Sequence, residues 1–336
     1  MARLGPMMEG LFNIASNVSF DRFRYDSHIG NTPSYNTVLK ALYGLSQQAA
    51  KQTLDICRDP GRWFTIVTDN VQTYHRRRDL RLGRQNGMTV GMAATAWVAP
   101  QAAADPAVFD YDEKEKLRAE CRRDLIQVDG LLRRLDFDHE RKVFTFQWLW
   151  VLGNYSKMMS HLKDRANLLL RTEALLQKVP DEAAEVYPLP TTSGSETDLP
   201  EFLSSIVDFL KNTGQTAVRY LRRILPIGGD GLTFELFLKL QYHLQFHRSP
   251  YNSLRILNPL LQWWHDMWTN DSRIIDLHLI SYASLDPSTL GHSASKIGRR
   301  IPKEQGKYNY HQACEILYLV ADTRMLDCWR YVIISE

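Results

Sequence analysis

The chain has 336 residues, of which 44% are hydrophobic and 24% are charged. This composition is typical of a globular protein and excludes a disordered or fibrous one, and the length suffices for two domains or for one large domain with insertions. The net charge of +3 is only mildly basic, so the total by itself is weak support for a polyanionic partner.

The cysteines and the N-terminus restrict the class of protein further. The four cysteines lie far apart and none belongs to a CxxC pair, which argues against a zinc site or a disulfide framework. The N-terminus has no signal-peptide core, and no stretch approaches the ~18 apolar residues of a membrane span. These features predict an intracellular protein with no membrane partner.

The first half of the chain contains one clear helix and two candidate strands. Residues 30–58 have apolar side chains at helical spacing, with Ser34 as the expected N-cap. This helix could be the second helix of a helix-turn-helix, although a plain packing helix is the commoner case. Trp63 to Val67 form an apolar, β-branched run that predicts a strand ending next to Asp69, and Met88 to Ala99 predict a second strand.

The second half is predicted to be mostly helical. Residues 111–178 have helical character, and residues 179–200 contain four prolines and a Ser/Thr/Gly cluster, which predicts a loop or linker. A helix follows at residues 201–212, and a short strand then breaks at Asp230. The remaining chain is expected to form helices separated by a polar loop. The apolar last stretch without a polar tail suggests a domain truncated at its C-terminus.

Two acids have the same local setting, because Asp69 and Asp230 each follow a strand-like run next to a turn. Carboxylates at the ends of neighbouring strands can lie on one side of a sheet and bind hard divalent cations such as Mg²⁺ or Mn²⁺. Such ions can activate a water and stabilise the leaving oxygen of a phosphodiester. A single aspartate after a strand more often caps a turn, so the spacing alone is a weak signal.

Two basic segments are candidates for binding a phosphate backbone. The first contains five arginines within nine residues and the second follows a polar loop: Arg76, Arg77, Arg78, Arg81 and Arg84, then Lys296, Arg299 and Arg300. The alternative for the first segment is a solvated turn whose arginines pair with acids.

Other candidates for chemistry are weaker. His265 lies among three tryptophans, where a histidine is more often a packed core residue than a ligand or a base. The acids of the last predicted helix, Glu315, Asp322 and Asp327, are candidates for a third metal ligand.

Several long strings, among them "TDNVQTYHRRRDLRLGRQNGMTVGMAATA", "GGDGLTFELFLKLQYHLQF" and "LQWWHDMWT", resemble a fungal family catalogued as domain of unknown function 6589. The resemblance extends from about residue 30 to the C-terminus. The family is similar to transposase-derived ribonuclease-H-like domains, which implies an α/β fold with a mixed sheet and large helical insertions. On that resemblance Asp69 and Asp230 match the first two catalytic acids, and His265 matches a downstream histidine.

The resemblance also implies a domain organisation and a function. It divides the chain into an N-terminal helical region, the first strands, a helical insertion, a linker and the second half of the core, at residues 1–60, 61–104, 105–185, 186–200 and 201–336. The implied function is a nuclear, Mg²⁺- or Mn²⁺-dependent DNA-cleaving and strand-transfer enzyme, or an inactive relic of one. The alternatives are a non-catalytic nucleic-acid-binding protein derived from a mobile element, and a structural or interaction domain.

Overall fold

The computed structural model describes residues 4–75, 87–100, 109–121, 125–176, 182–300, 303–304 and 307–335. The chain divides into two compact units. Unit 1 comprises Met1–Asp112 and Glu182–Leu260, and unit 2 comprises Glu113–Asp181 and Leu261–Glu336. Helices account for 56% of the described residues, which confirms the prediction of an α/β protein that is mostly helical.

Unit 1 combines helices with a five-stranded sheet. Its helices are α1 (Leu4–Ala15), α2 (Phe20–His28), α3 (Tyr35–Cys57), the start of α4 (Tyr111–Ala119), α8 (Leu199–Asn212) and α9 (Gly231–His243). Its strands are β1 (Phe64–His75), β2 (Gly87–Val98), β3 (Glu185–Pro188), β4 (Leu225–Gly229) and β5 (Leu257–Leu261).

Unit 2 is mostly helical in the part that the structure describes. Its further helices are α5 (Val128–Leu132), α6 (Phe137–Tyr155), α7 (Lys163–Thr172), α10 (Trp263–His278), α11 (Leu290–Lys296) and α12 (Tyr310–Ser335), and β6 (Lys303–Glu304) pairs with β7 (Lys307–Tyr308). Its core contains Ile275, Ile316 and Val320. Within the described ranges, none of the helices is both long enough and apolar enough to cross a membrane.

Capping side chains define the starts of two helices in unit 1. Ser34 accepts a hydrogen bond from the backbone N–H of Thr37 at 3.4 Å, which confirms the predicted start of α3. Asp198 accepts one from Glu201 N–H at 2.9 Å, with Pro200 in the first turn of α8. Both bonds satisfy N–H groups that have no partner inside the helix.

The sheet has the strand order β3-β2-β1-β4-β5 and is mixed. β1 pairs with β2 and β2 with β3 in antiparallel fashion, whereas β1 and β4 are parallel. The prediction that the first strand ends before Asp69 is wrong, because β1 continues to His75. Every residue of β1 has a partner in β2, and this long antiparallel ladder satisfies the backbone well past the apolar run.

The core of unit 1 lies between the sheet and the helices that pack on it. All five residues of β4 are buried, as expected for a strand covered on both faces. α8 contributes Phe202, Ile206 and Phe209, which recur at helical spacing and are fully buried. Each such side chain contributes about 1.5–3 kcal/mol to the free energy of unfolding.

Three segments differ from the sequence prediction. Residues 257–261 were expected to be helical but form β5, because a position at the edge of the sheet decides their conformation. The predicted linker contains β3, and its Leu189 is buried in the core. The predicted polar loop before the last helix contains α11.

Replacing the fully buried Ile227 of β4 by alanine is expected to lower the free energy of unfolding by about 2–5 kcal/mol, because the cavity opens beside β1. Chemical denaturation followed by intrinsic protein fluorescence measures the change in the free energy of unfolding. Val218→Ala is the matched control, since Val218 is 98% exposed, and its effect should stay within about 0.5 kcal/mol. Equal effects of the two substitutions would contradict the position of β4 in the core.

Candidate functional site

Asp69 in β1 and Asp230 directly after β4 lie on adjacent segments of unit 1. In the parallel pairing of β1 with β4, Ile66 is opposite Ile227 and Val67 is opposite Gly228. Two residues further along each segment are Asp69 and Asp230. Neighbouring strands are about 4.8 Å apart, so this register makes the two acids neighbours although they are far apart in sequence.

Asp230 lies immediately after β4 and is the N-cap of α9. Its Oδ1 accepts a hydrogen bond from the backbone N–H of Thr233 at 2.8 Å. Gly229 allows this tight strand-to-helix turn, because a Cβ there would lie 2.3 Å from Cγ2 of Thr233. Asp230 therefore does cap a turn, but the cap engages only one of its two carboxylate oxygens.

Asp69 is exposed and lies within β1. Its Oδ1 accepts a hydrogen bond from the backbone N–H of Asn70 at 2.8 Å. β4 ends at Gly229, so β1 extends beyond its parallel neighbour from this point on. Asp69 therefore lies where β1 begins to extend past the end of β4, and its side chain is exposed there.

A third acid, Glu196, belongs to the same site and was missed by the sequence analysis. It is only 2% exposed and lies in the segment between β3 and α8. The Thr233 hydroxyl donates a hydrogen bond to its Oε1, and the Asn70 amide lies close enough to stabilise its charge. Glu196 therefore lies beside Asn70, the residue after Asp69, and bonds Thr233, three residues after Asp230.

The surroundings of Glu196 oppose its ionisation. Burial raises its pKa above the usual range, and the negative charges of Asp230 and Asp69 raise it further. The hydrogen bond from Thr233 and the Asn70 amide act in the opposite direction. Its Oε2 is buried without a hydrogen-bond partner. A cation at this position would offset the repulsion that Asp230 and Asp69 exert on Glu196. Directly or through a bound water, it would also satisfy the buried Oε2.

One feature of the sequence could have indicated Glu196, namely that two acids precede α8 where one is enough to cap the helix. Glu196 lies in the Ser/Thr-rich segment that was predicted to be a linker, where an acid before a helix usually acts as a cap. Asp198 already caps α8, so a second acid two residues earlier has no capping role.

The other candidate acids and the histidine lie in unit 2, and each has a local partner. Glu315 forms an ion pair with Arg299 at 3.2 Å, and Asp322 accepts a hydrogen bond from the Tyr155 hydroxyl at 3.0 Å. Asp327 pairs with Arg330 at 2.8 Å. His265 is half-buried, with its ring edge-on to Trp264 at 4.6 Å.

The basic candidates divide into two groups. Arg76, Arg77, Arg78, Arg81 and Arg84 lie outside the described residues. In unit 2 Lys296 is exposed in the last turn of α11, and the Arg300 guanidinium lies 5.6 Å from the centre of the Tyr282 ring. Arg299 is exposed as well but is engaged by Glu315.

No three His, Cys, Asp or Glu side chains within the described ranges are placed to bind one metal ion together. Asp69 and Asp230 could offer two direct ligands at most, with Glu196 as a nearby buried carboxylate. Mg²⁺ is commonly bound by one or two carboxylates and several waters, and this arrangement is compatible with that mode.

The comparison with protein families identifies the chain. A model described as a family of unknown function, DUF6589, matches residues 121–336. The chain belongs to this family. The matched region includes Glu196 and Asp230 but begins after Asp69. Neither the search of curated proteins nor that of solved structures found a match.

The charge of Glu196 gives this DUF6589 protein a predictable pH dependence. The pKa of Glu196 is raised in the folded state, so its protonated form favours folding. This contribution to the free energy of unfolding is fully present below the unfolded-state pKa of about 4.3. It is lost as the pH rises through the folded-state pKa. Glu196→Gln should therefore match the wild type in acid and be more stable at neutral pH in metal-free buffer. Thermal unfolding at a series of pH values measures the difference, and a constant difference at all pH values would contradict it.

Proposed function

We propose that this chain contains a ribonuclease-H-like domain, derived from the transposase of a fungal mobile element, that cleaves or joins DNA strands with Mg²⁺ or Mn²⁺. The observation on which the proposal depends is the register of β1 and β4, which makes Asp69 and Asp230 neighbours. The resemblance implies an acid after each of two strands of a mixed sheet. The strand order β3-β2-β1-β4-β5 with parallel β1 and β4 supports that fold.

The residues present fit a hard divalent cation. Carboxylate oxygens are the ligands that such ions prefer, and the orphaned, buried Oε2 of Glu196 beside two aspartates indicates a position where positive charge is needed. Asp69 and Asp230 would hold the ion. When bound, it would polarise a phosphodiester oxygen and lower the pKa of a coordinated water.

The protein side chains have separate tasks in this reaction. The Asp69 and Asp230 carboxylates would fix the position of the cation, and the cap of α9 holds Asp230 in one orientation. A water or a DNA 3′-hydroxyl would give its proton to solvent and attack the phosphorus, the bond to the leaving oxygen would break, and the leaving oxygen would take a proton from solvent. The arginines after β1 would bind neighbouring phosphates, mostly without reading base sequence.

The test is Mn²⁺-dependent nicking of supercoiled DNA by the full chain. Asp69→Asn and Asp230→Asn are expected to reduce nicking to the level seen with a chelator, because each removes a charged ligand. Asparagine is as good an N-cap as aspartate, so Asp230→Asn leaves the start of α9 intact. Glu235→Gln is the control, because Glu235 is an exposed acid of α9 that pairs with Lys239. Nicking by both asparagine variants at the wild-type rate would falsify the assignment.

A second candidate function is non-catalytic binding of nucleic acid by a protein derived from a mobile element. It is favoured by the lack, among the described residues, of three ligating side chains placed around one ion. The basic segments support binding whether or not the site is active. Binding of DNA by the wild type without any nicking would select this function.

Electrostatic binding has a measurable salt dependence. If the arginine segment binds phosphates, the log of the affinity falls linearly with the log of the salt concentration, and each lost contact reduces the slope by about 0.9. Arg76→Ala combined with Arg77→Ala should thus reduce the slope by about 2. Fluorescence anisotropy with duplex DNA at several salt concentrations measures it. An unchanged slope would mean that these arginines do not contact the backbone.

A further inference from the structure

We propose that Glu196 is the outer carboxylate of the cation site, whose Oε2 accepts a hydrogen bond from a water bound to the ion held by Asp69 and Asp230. This inference rests on the proposed function and assigns the third acid of the site. It places that acid in the segment before α8, in unit 1, and not among the acids of α12.

Electrostatics indicate that Glu196 needs a positive charge nearby. Glu196 is 2% exposed, yet the charges acting on it are those of two other carboxylates. Burying an ionised carboxylate without a compensating positive charge is strongly unfavourable. A divalent cation would compensate all three carboxylates at once, whereas a proton would neutralise Glu196 alone.

The two carboxylate oxygens of Glu196 have different surroundings. Oε1 accepts the hydrogen bond from the Thr233 hydroxyl, which holds the carboxyl in one orientation. Oε2 is buried and has no hydrogen-bond partner. No third side chain of the described residues completes direct coordination of one ion with the two aspartates. A water on the ion would supply the donor that Oε2 lacks, since such ions usually keep several waters.

The backbone around Glu196 is held by hydrogen bonds before and after this residue. On the N-terminal side Thr192 N–H donates to Met92 O at 2.9 Å, and the Thr192 hydroxyl donates to Ser205 Oγ at 2.7 Å. Directly before Glu196, Ser195 N–H donates to Glu201 Oε2 at 2.6 Å, and after it Asp198 Oδ1 accepts from Glu201 N–H at 2.9 Å. These bonds attach the segment to β2 and to α8. The position of Glu196 is therefore built into the fold and is not that of a free loop residue.

The acids of α12 lack these properties. Glu315, Asp322 and Asp327 are each engaged by an arginine or a tyrosine hydroxyl within unit 2. None of them has a buried oxygen without a hydrogen-bond partner. Local partners explain their positions, so they give no indication of a missing cation.

The test is the affinity of the full chain for Mn²⁺, measured by the electron paramagnetic resonance signal of the free ion at constant pH. Glu196→Gln keeps an oxygen for the Thr233 hydroxyl but removes the charge, and it is expected to weaken Mn²⁺ binding by about 10–100-fold, as loss of an outer-shell partner does. Asp230→Asn should weaken binding more strongly. Glu235→Gln is the matched control and should bind Mn²⁺ like the wild type.

The outcomes separate this inference from the proposed function. Wild-type affinity in Glu196→Gln, with loss in Asp230→Asn, would overturn the role of Glu196 and leave the aspartate site standing. Failure of the wild type to bind Mn²⁺ would overturn both. If Glu196→Gln does not fold, Glu196→Asp serves as the second variant. It retains the charge but withdraws the carboxylate by one methylene, so weaker Mn²⁺ binding supports the role and unchanged binding rejects it.

Discussion

The parallel pairing of β1 with β4 is the contact on which the candidate site depends. The two strands are joined by backbone pairing and by side-chain bonds, such as that from the Thr65 hydroxyl to Pro226 O at 3.0 Å, between residues 161 positions apart. A second such bond runs from the Thr68 hydroxyl to Gly228 O at 3.2 Å. A shift of one residue along this pair would turn every β1 side chain to the other face of the sheet relative to β4. The adjacency of Asp69 and Asp230 is therefore a consequence of register.

Close packing at the end of β4 gives the site its second feature, which is a buried carboxylate. Gly229 lets the first turn of α9 approach the strand, and Thr233 in that turn is fully buried. Thr233 then contributes its N–H to Asp230 and its hydroxyl to Glu196. One side chain thus links two acids whose charges repel each other. The repulsion is retained in the fold, and the proposed cation site rests on it.

Local sequence signals were sufficient for the elements that satisfy their own backbone. The start of α3 at Ser34, the strand β2 and the strand-to-helix break at Asp230 all follow from capping, alternation and glycine chemistry within a few residues. Prediction failed where pairing with a distant segment decided the conformation. β1 extends past its apolar run because β2 lies beside it, and residues 257–261 form β5 as a member of the same sheet.

The sequence by itself determined the type of chain, the family resemblance and the two aspartates as candidates, because these depend on composition and on local patterns. Only the tertiary structure decided that the two aspartates are neighbours and that Glu196 accompanies them. Glu196 lies in a Ser/Thr-rich segment with the local character of a linker, and nothing within a few residues of it indicates burial. Its burial results from attachment of that segment to β2, α8 and α9, which are distant from one another along the chain.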